Sequence, residues 1–400
     1  MVTRREILRS AGAGALASML PGVVFANADT ESRFVLVILR GAADGLAIAA
    51  PYGDPAYRKV RGELALPPPG NAGGLLKLDS LFGLHPSLPG MYEEFRKERA
   101  VIAHAVASPY RERSHFDGQD VLENGASDVG LLRDGWLNRA LTPLGGSLGH
   151  ETAIAMGVNT PLVLRGENSV TSWAPSQLPD AEQSTIRRLQ DLYADDEFFA
   201  RRLAQAVNSQ AIAGENAGEE ARRGRNRANE QVRSTMAATA RFLTAEGGPR
   251  IAVLEAGGWD THANQGTTTG ALANRLAGLD AGLVALREGL GSTWSNTVVA
   301  VVTEFGRTVH VNGTRGTDHG TAAAAILVGG AVNGGRVLAD WPGLGKSDLY
   351  DGRDLKPTLD MRSLFKGVLA DHLRISDTLL ERSVFPDSGS APHQRDLVRA

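Results

Sequence analysis

The fold is decided by an unbroken apolar run, FVLVIL at residues 34–39, which ends in the turn Arg40-Gly-Ala-Ala-Asp44-Gly45. A strand that is apolar at every position is typical of a parallel sheet covered on both faces. Similar runs recur along the chain and alternate with amphipathic helical patterns. Further strands are predicted at 100–105, 152–156, 162–164, 250–255, 296–303 and 324–329, and helices at 87–99, 114–124, 131–141, 268–290 and 358–373. This alternation predicts an α/β fold with a doubly wound, mostly parallel sheet.

One long polar stretch, residues 181–246, interrupts this pattern. It contains no proline and is rich in Ala, Arg, Gln and Glu, while apolar residues recur in it at helical spacing. The stretch therefore predicts a helical insertion on the main sheet, with a loose connection near 214–224. The alternative is a partly disordered connection over residues 210–228.

The N-terminus reads as an export signal. Its Thr3-Arg4-Arg5-Glu6-Ile7-Leu8-Arg9 segment resembles the twin-arginine motif, a mildly apolar stretch follows at 11–24, and Ala26-Asn27-Ala28 supplies a small-residue cleavage site. We predict a signal peptide at 1–28, the twin-arginine export machinery as a partner, and a periplasmic or extracellular location. The alternative is a chance arginine pair on an N-terminal helix. The apolar stretch is too short for a stable membrane span.

The bulk composition narrows the class of protein. The chain has 400 residues and is 42% hydrophobic, which is enough for a sizeable core. We predict one α/β domain over 29–375 and a C-terminal tail at 376–400. The formal net charge of −3 gives no basic surface for nucleic acid, so no such partner is expected. Cysteine is absent, which agrees with folding in a reducing compartment before export.

Polar clusters follow the predicted strands closely. They contain the following candidate residues: Asp44, Arg113, Ser114, His115, Glu255, Asp260, His262, Glu304, Arg307, Asp318 and His319. A parallel sheet brings the carboxyl ends of its strands to one edge, where ligands bind. Carboxylate and imidazole together are a common ligand set for zinc, manganese or iron. The sequence therefore predicts a metal-assisted active site at this edge.

Each candidate also has a plainer interpretation. Asp44 could stabilise its own turn, and Ser114 could be a helix N-cap as easily as a nucleophile or an anion-binding hydroxyl. His115 could be a ligand or a supporting base. Glu304 and Arg307 could form a salt bridge. The histidines near Asp260 and Asp318 could be ordinary loop residues.

Seven ordered motifs resemble the secreted bacterial family called domain of unknown function 1501. They are Leu39-Arg-Gly-Ala-Ala-Asp44-Gly, Arg113-Ser-His-Phe-Asp117, Gly135-Trp-Leu-Asn-Arg139, Gly258-Trp-Asp-Thr-His262, Thr303-Glu-Phe-Gly-Arg-Thr308, Gly316-Thr-Asp-His-Gly320 and Gly329-Gly-Ala-Val-Asn-Gly-Gly335. That family is more distantly similar to the alkaline phosphatase and sulfatase superfamily, whose enzymes hold two metal ions at the rim of a parallel sheet. The resemblance implies that Asp44 is a ligand, Ser114 the nucleophile and His319 the final histidine ligand.

The same resemblance implies that Glu255, Asp260 and His262 match the Glu-x4-Asp-and-His element of the superfamily. Two departures from its pattern are visible. The late Asp-His pair of the superfamily falls at Glu304-Phe305. Phenylalanine cannot bind a metal, so one superfamily ligand is lost unless Asp318 replaces it. His262 also stands closer to its aspartate than in the superfamily.

These observations predict an exported, metal-dependent hydrolase of phosphate or sulfate esters. The implied cofactor is one or two divalent ions, namely zinc, manganese or magnesium, and the implied substrate is a small anionic ester. Arg113 or Arg307 is predicted to hold its non-bridging oxygens. The alternative is a non-catalytic binding or assembly protein on the same fold.

Overall fold

The computed structural model describes residues 31–145, 152–175, 183–213 and 227–399. The predicted signal peptide and the predicted loose connection near 214–224 lie outside these residues. Within them, no helix is long and apolar enough to cross a membrane.

The described part of the chain forms a nine-stranded sheet and a small three-stranded sheet. The strands are β1 (Arg33–Arg40), β2 (Ala49–Ala50), β3 (Leu76–Lys77), β4 (Gly83–Leu84), β5 (Ala100–Ala107), β6 (Ala153–Ala155), β7 (Thr171–Ser172), β8 (Ile251–Gly257), β9 (Thr297–Thr303), β10 (Ala323–Val328), β11 (Arg336–Leu338) and β12 (Leu359–Asp360). The large sheet has the order β11-β5-β10-β9-β1-β8-β6-β7, and β12 pairs with β5. Only β10 runs antiparallel to its neighbours in this sheet, as described, so the prediction of a mostly parallel sheet is confirmed.

Eleven α-helices lie within the described residues. They are α1 (Gly45–Ile48), α2 (Tyr57–Arg61), α3 (Pro89–Arg96), α4 (His115–Asn124), α5 (Trp136–Leu141), α6 (Gln183–Leu192), α7 (Glu197–Ala213), α8 (Arg227–Thr244), α9 (Ala271–Leu290), α10 (Met361–Leu373) and α11 (Asp377–Leu379). Three of them, α6 to α8, fall inside the stretch predicted as a helical insertion.

The two faces of the large sheet explain the apolar run in β1. Val35, Val37 and Leu39 point into a core that includes residues of α3, α8 and α9. Phe34 and Ile38 point into the opposite core, which includes residues of α5 and α10. Because helices cover both faces, the positions between the two terminal arginines of β1 are all apolar.

One predicted strand is wrong. Leu162–Leu164 forms a single 3₁₀ turn, closed by a hydrogen bond from the Arg165 N–H to the Leu162 carbonyl (2.9 Å). The Val163 N–H donates to the Glu123 carboxylate at 3.0 Å and so is not free for a strand neighbour. Three apolar residues alone do not distinguish a strand from a turn.

The segment after α10 packs against the sheet layer. Phe385 and Leu397 are fully buried, and the Phe385 ring lies 5.3 Å from that of Trp136. The C-terminal residues therefore help to cover one face of the sheet.

Candidate metal centre

The candidate site lies at the carboxyl edge of the three central strands. β1 pairs in parallel with both β8 and β9, so all three end at the same edge. Asp260 and His262 follow β8, and Glu304 follows β9 directly. α4 begins at His115, and the loop from β9 to β10 carries His319 back to the same place.

Two glycines allow this loop to fold back on itself. Arg307 and His319 form an isolated antiparallel bridge. A Cβ at Gly306 would lie 1.8 Å from the Ala322 carbonyl oxygen, and one at Gly320 would lie 2.4 Å from the Arg307 carbonyl carbon. Only glycine permits these backbone contacts, which bring the Glu304 motif and the His319 motif together.

Three imidazoles are held by their Nδ1 atoms in the same way. Nδ1 of His115 lies 2.8 Å from a Glu304 carboxylate oxygen. Nδ1 of His262 lies 3.1 Å from a carboxylate oxygen of Asp318, and Nδ1 of His319 lies 2.9 Å from the Arg113 carbonyl oxygen. Since all three partners accept hydrogen bonds, each Nδ1 is placed to donate its proton, and a neutral ring in this tautomer presents the lone pair of Nε2.

These three Nε2 atoms face the Asp260 carboxylate. Nε2 lies 3.4 Å from Asp260 Oδ2 in His115, 3.0 Å from Oδ1 in His262 and 3.3 Å from Oδ1 in His319. The Nε2 atoms of His262 and His319 are 3.0 Å apart. Ligand atoms of His115, Asp260 and His319 all lie within 4.8 Å of one another.

This arrangement fits a metal ion by its own chemistry. Nε2 of His115 is buried and has no hydrogen-bond partner. Lone pairs that face one another at 3.0 Å repel unless a cation or a proton lies between them. Metal-binding histidines usually donate their other ring N–H to a carboxylate or a carbonyl, as all three do. Three imidazoles and one carboxylate are a ligand set that suits zinc, manganese or iron.

The charged neighbours set the protonation of the ligands. The hydrogen bond to Glu304 raises the pKa of His115 despite its partial burial. Burial would raise the pKa of Glu304, but the hydrogen bonds it accepts from His115 and the Gly41 N–H, among others, lower it. Burial lowers the pKa of His319. Glu304 is therefore a carboxylate that makes His115 a stronger base.

The acidic groups nearest the other histidines also stay ionised. Burial opposes ionisation of Asp260, but the hydrogen bond and the charge of Arg307 lower its pKa. The Asn312 amide lowers the pKa of Asp318, and His262 adds to that effect.

A buried network supports the ligands from behind. The Arg307 guanidinium is 1% exposed and donates to Asp260, to the Thr317 carbonyl and, at 3.1 Å, to the Thr317 hydroxyl. Gln265 donates to the Asp44 carboxylate at 2.7 Å and accepts hydrogen bonds from the hydroxyls of Thr261 (2.7 Å) and Thr317 (2.9 Å).

Several predicted residues therefore take other positions. The Asp44 carboxylate is buried against Arg61 and Gln265 and caps α1, so it does not join the convergent group. Glu255 pairs with Arg40 (Nε to Oε1, 2.7 Å) instead. Glu304 and Asp318, both predicted as ligands, contact the Nδ1 side of histidines and so orient the rings.

The two arginines predicted to bind a substrate anion are engaged within the protein. Arg113 binds Asp354 at 2.7 Å and Asp351 at 3.0 Å, and Arg307 binds Asp260. Ser114 stands at the N-cap position of α4, but its side chain makes no capping hydrogen bond. Ser114 directly precedes His115 in the sequence.

Sequence reasoning missed Gln265 and Thr317. Both are uncharged and lie in loops. Gln265 contacts Asp44, more than 200 positions away, and Thr317 contacts Arg307 and Gln265 across folded loops, so their support of the site is visible only in the structure. The Gly316-Thr-Asp-His-Gly320 motif was a signal for Thr317, since the same motif carries His319.

The comparisons with known proteins identify the family. The profile of the family described as protein of unknown function (DUF1501) matches residues 77–385. The chain belongs to this family. No curated protein matches the chain.

Several solved structures share a distant likeness with the chain. The C-terminal periplasmic domain of EcEptC from Escherichia coli, in complex with zinc, is 9% identical over 78% of this chain and 76% of that one, with a TM-score of 0.38. The phosphonate monoester hydrolase of Agrobacterium radiobacter is 11% identical over 86% and 74% of the two chains, also with a TM-score of 0.38. An alkaline phosphatase superfamily protein from Vibrio parahaemolyticus is 12% identical over 77% and 62%, with a TM-score of 0.33.

Proposed function

We propose that this DUF1501 protein is an exported, metal-dependent hydrolase of phosphate or sulfate esters. The observation that carries the proposal is the convergence of three Nε2 atoms on one carboxylate, with every Nδ1 held by an acceptor. Such a group binds a cation better than it binds any neutral ligand. It lies at the edge of the sheet where α/β proteins bind their substrates.

The proposed ligands are His115, His262, His319 and Asp260. Imidazole nitrogen favours zinc or manganese over magnesium, which prefers oxygen ligands and keeps its waters. A divalent cation bound there supplies Lewis-acid polarisation of the ester. This ligand set differs from the predicted one in two ways. His115 is added as a ligand, and four predicted carboxylates are left out, namely those of Asp44, Glu255, Glu304 and Asp318.

Other residues of the chain orient the proposed ligands and contact the substrate. Glu304 keeps the His115 proton on Nδ1, and Arg307 fixes the Asp260 carboxylate. Ser114 lies beside the ligand His115 at the start of α4, where free backbone N–H groups favour an anion. We assign its hydroxyl the contact with the substrate anion, either as nucleophile or as donor. Hydrolysis breaks the ester bond to phosphorus or sulfur, a water oxygen takes its place, and the alcohol leaves with a proton.

Turnover of aryl esters tests this proposal. The mature protein, loaded with zinc or manganese, is assayed on a panel of aryl phosphates and aryl sulfates, beside the chelator-treated protein. We expect turnover that depends on the metal and falls by at least about 100-fold in the Ser114→Ala variant if Ser114 is the nucleophile. A smaller loss assigns it the role of donor.

The melting temperature of Ser114→Ala provides the control. Because no capping bond is lost, this variant should melt like the wild type. Absence of turnover by a protein that does bind the metal would contradict the hydrolase proposal. The alternative of a binding or assembly protein would then take its place.

A further inference from the structure

Arg275 lies between two cavities beside the candidate metal centre. It stands on α9 and is half-buried. The first cavity, which we name the Asp260 cavity, has a volume of about 280 Å³ and is lined by Gly258, Asp260 and Arg275, among others. The second, named the Met236 cavity, has a volume of about 270 Å³ and is lined by Met236, Leu254 and Arg275, among others. The Arg275 side chain therefore lies in the wall of both.

The charge of Arg275 is not neutralised within the described residues, where its guanidinium makes no hydrogen bond or ion pair. The other arginines near the site are all engaged: Arg113 by Asp351 and Asp354, Arg307 by Asp260. An arginine that keeps its donors open at the wall of a cavity is suited to bind a carboxylate, phosphate or sulfate.

The acidic residue in the wall of the Met236 cavity does not compete for Arg275. Glu255 lines the Met236 cavity, but Arg40 binds its carboxylate through two nitrogens, one of them at 2.7 Å. The negative charge of Glu255 is thus compensated by a different arginine. Arg275 remains the cation that faces both cavities.

A glycine leaves the space that this guanidinium occupies. Gly258 has a positive φ of 90°, and a Cβ there would lie 2.6 Å from Nη2 of Arg275. The guanidinium therefore lies directly against the bare backbone of the loop that carries Asp260. An anion bound by Arg275 is held next to the ligand loop.

The Met236 cavity has an apolar part that a charged ligand alone would not fill. Val37, Met156, Val232, Met236 and Leu254 all line it. Burial of each methylene group in such a space contributes roughly a fourfold gain in affinity. A ligand with an anionic group and an apolar group matches both features.

We propose that Arg275 binds a negatively charged group of the substrate and that the Met236 cavity holds an apolar part of the same molecule. This inference rests on the proposed function, since it names the class of substrate for that site: amphiphilic anionic esters. Arg275 takes the role that was predicted from the sequence for Arg113 or Arg307.

Binding of non-hydrolysable phosphonates tests the inference without any turnover. Isothermal titration of the zinc-loaded protein compares methylphosphonate with hexylphosphonate. We expect hexylphosphonate to bind at least about tenfold more tightly than methylphosphonate. Arg275→Gln should weaken both by about tenfold or more, because charge-assisted hydrogen bonds are lost, whereas Arg275→Lys should restore part of the affinity.

The matched control is Arg58→Gln, which removes one positive charge from an exposed position on α2. It should bind both phosphonates like the wild type. Wild-type affinity in Arg275→Gln, with unchanged zinc content and melting temperature, would overturn the role of Arg275. Equal affinity of the two phosphonates for the wild type would overturn the role of the Met236 cavity.

Two esters locate the anion that Arg275 binds. If Arg275→Gln raises KM equally for phenyl phosphate and 4-carboxyphenyl phosphate, Arg275 binds the oxygens of the reacting ester. A rise confined to the carboxylated ester assigns Arg275 to a second anionic group. Turnover with an unchanged KM for both would overturn the inference and leave the proposed function standing. Phosphonate binding that depends on Arg275, without any turnover, would instead contradict the proposed function alone.

Discussion

The orientation of three imidazole rings is the decisive feature at the scale of single residues. The sequence placed Asp260, His262 and His319 near strand ends from residue type and spacing alone. It could not tell which ring nitrogen faces the centre, because that depends on partners such as Glu304, which lies 189 positions from His115. For the same reason Glu304 and Asp318 were predicted as ligands although they contact the opposite side of the rings.

Glu304→Gln should weaken metal binding without removing a ligand. The glutamine has the same size, but it lacks the charge that strengthens His115 as a base. Loss of such an orienting carboxylate typically costs about 10- to 100-fold in metal affinity. Competition with a chelator of known affinity measures the change, and Glu288→Gln on the exposed surface of α9 is the control. An unchanged affinity would contradict the role assigned to Glu304.

Two buried histidines outside the site should make the free energy of unfolding depend on pH. Burial lowers the pKa of His104 and of His372 to about 4 in each case. In the unfolded chain both would titrate near the ordinary value of about 6.5. Their stabilising contribution is therefore complete above pH 6.5 and is lost as the pH falls from 6.5 to about 4, by about 1.4 kcal/mol per pH unit for each histidine.

Urea unfolding of the chelator-treated protein at several pH values between 4.5 and 7.5 measures this loss. His372→Gln should show a shallower fall in the free energy of unfolding than the wild type. A slope in that variant equal to the wild-type slope would show that His372 is not kept neutral by the fold.

Strands were more predictable than turns at the scale of the elements. The interior positions of β1, β8 and β9 are covered on both faces and are apolar except for Glu255 near the end of β8, so their sequences predict buried strands. The 3₁₀ turn Leu162–Leu164 is as apolar as a strand, and a distant contact from Glu123 decides its conformation. The helix predicted at 131–141 begins only at Trp136, since Gly135 stands at its N-cap.

The contact between α8 and α9 depends on a glycine. A Cβ at Gly282 would lie 2.8 Å from the Met236 sulfur and 3.1 Å from Cγ1 of Val232. Gly282→Leu should therefore separate the two helices and lower the free energy of unfolding by about 1–3 kcal/mol, as overpacked cores do. Ala277→Leu, at an exposed position of the same helix, should change it little. Thermal unfolding of both variants checks this, and equal melting temperatures would contradict the packing described.

Strand order is the feature of the whole molecule that the sequence could not provide. β1 lies between β8 and β9, which begin more than 200 residues later, and no local pattern encodes that pairing. The general rule for parallel sheets still predicted that the polar clusters meet at one edge. Asp44 is an exception to this rule. It follows a strand, but its carboxylate faces the interior and pairs with Arg61.

Export is a prediction for the whole chain, carried by Arg4 and Arg5. Changing both to lysine should block twin-arginine export and leave the unprocessed precursor in the cytoplasm. Cell fractionation followed by immunoblotting measures this, and Lys59→Arg in the mature part of the chain is the control. Normal export and processing of the double lysine variant would rule out the twin-arginine assignment.

The metal content of the purified protein tests the central claim most directly. Mature wild type, the His115→Ala/His319→Ala double variant and His310→Ala, an exposed histidine outside the site, are purified without added metal and measured by inductively coupled plasma mass spectrometry. We predict about one equivalent of a transition metal in the wild type and in His310→Ala, and less than about one tenth of that in the double variant. A double variant that folds and retains the metal content of the wild type would contradict the assignment of the centre.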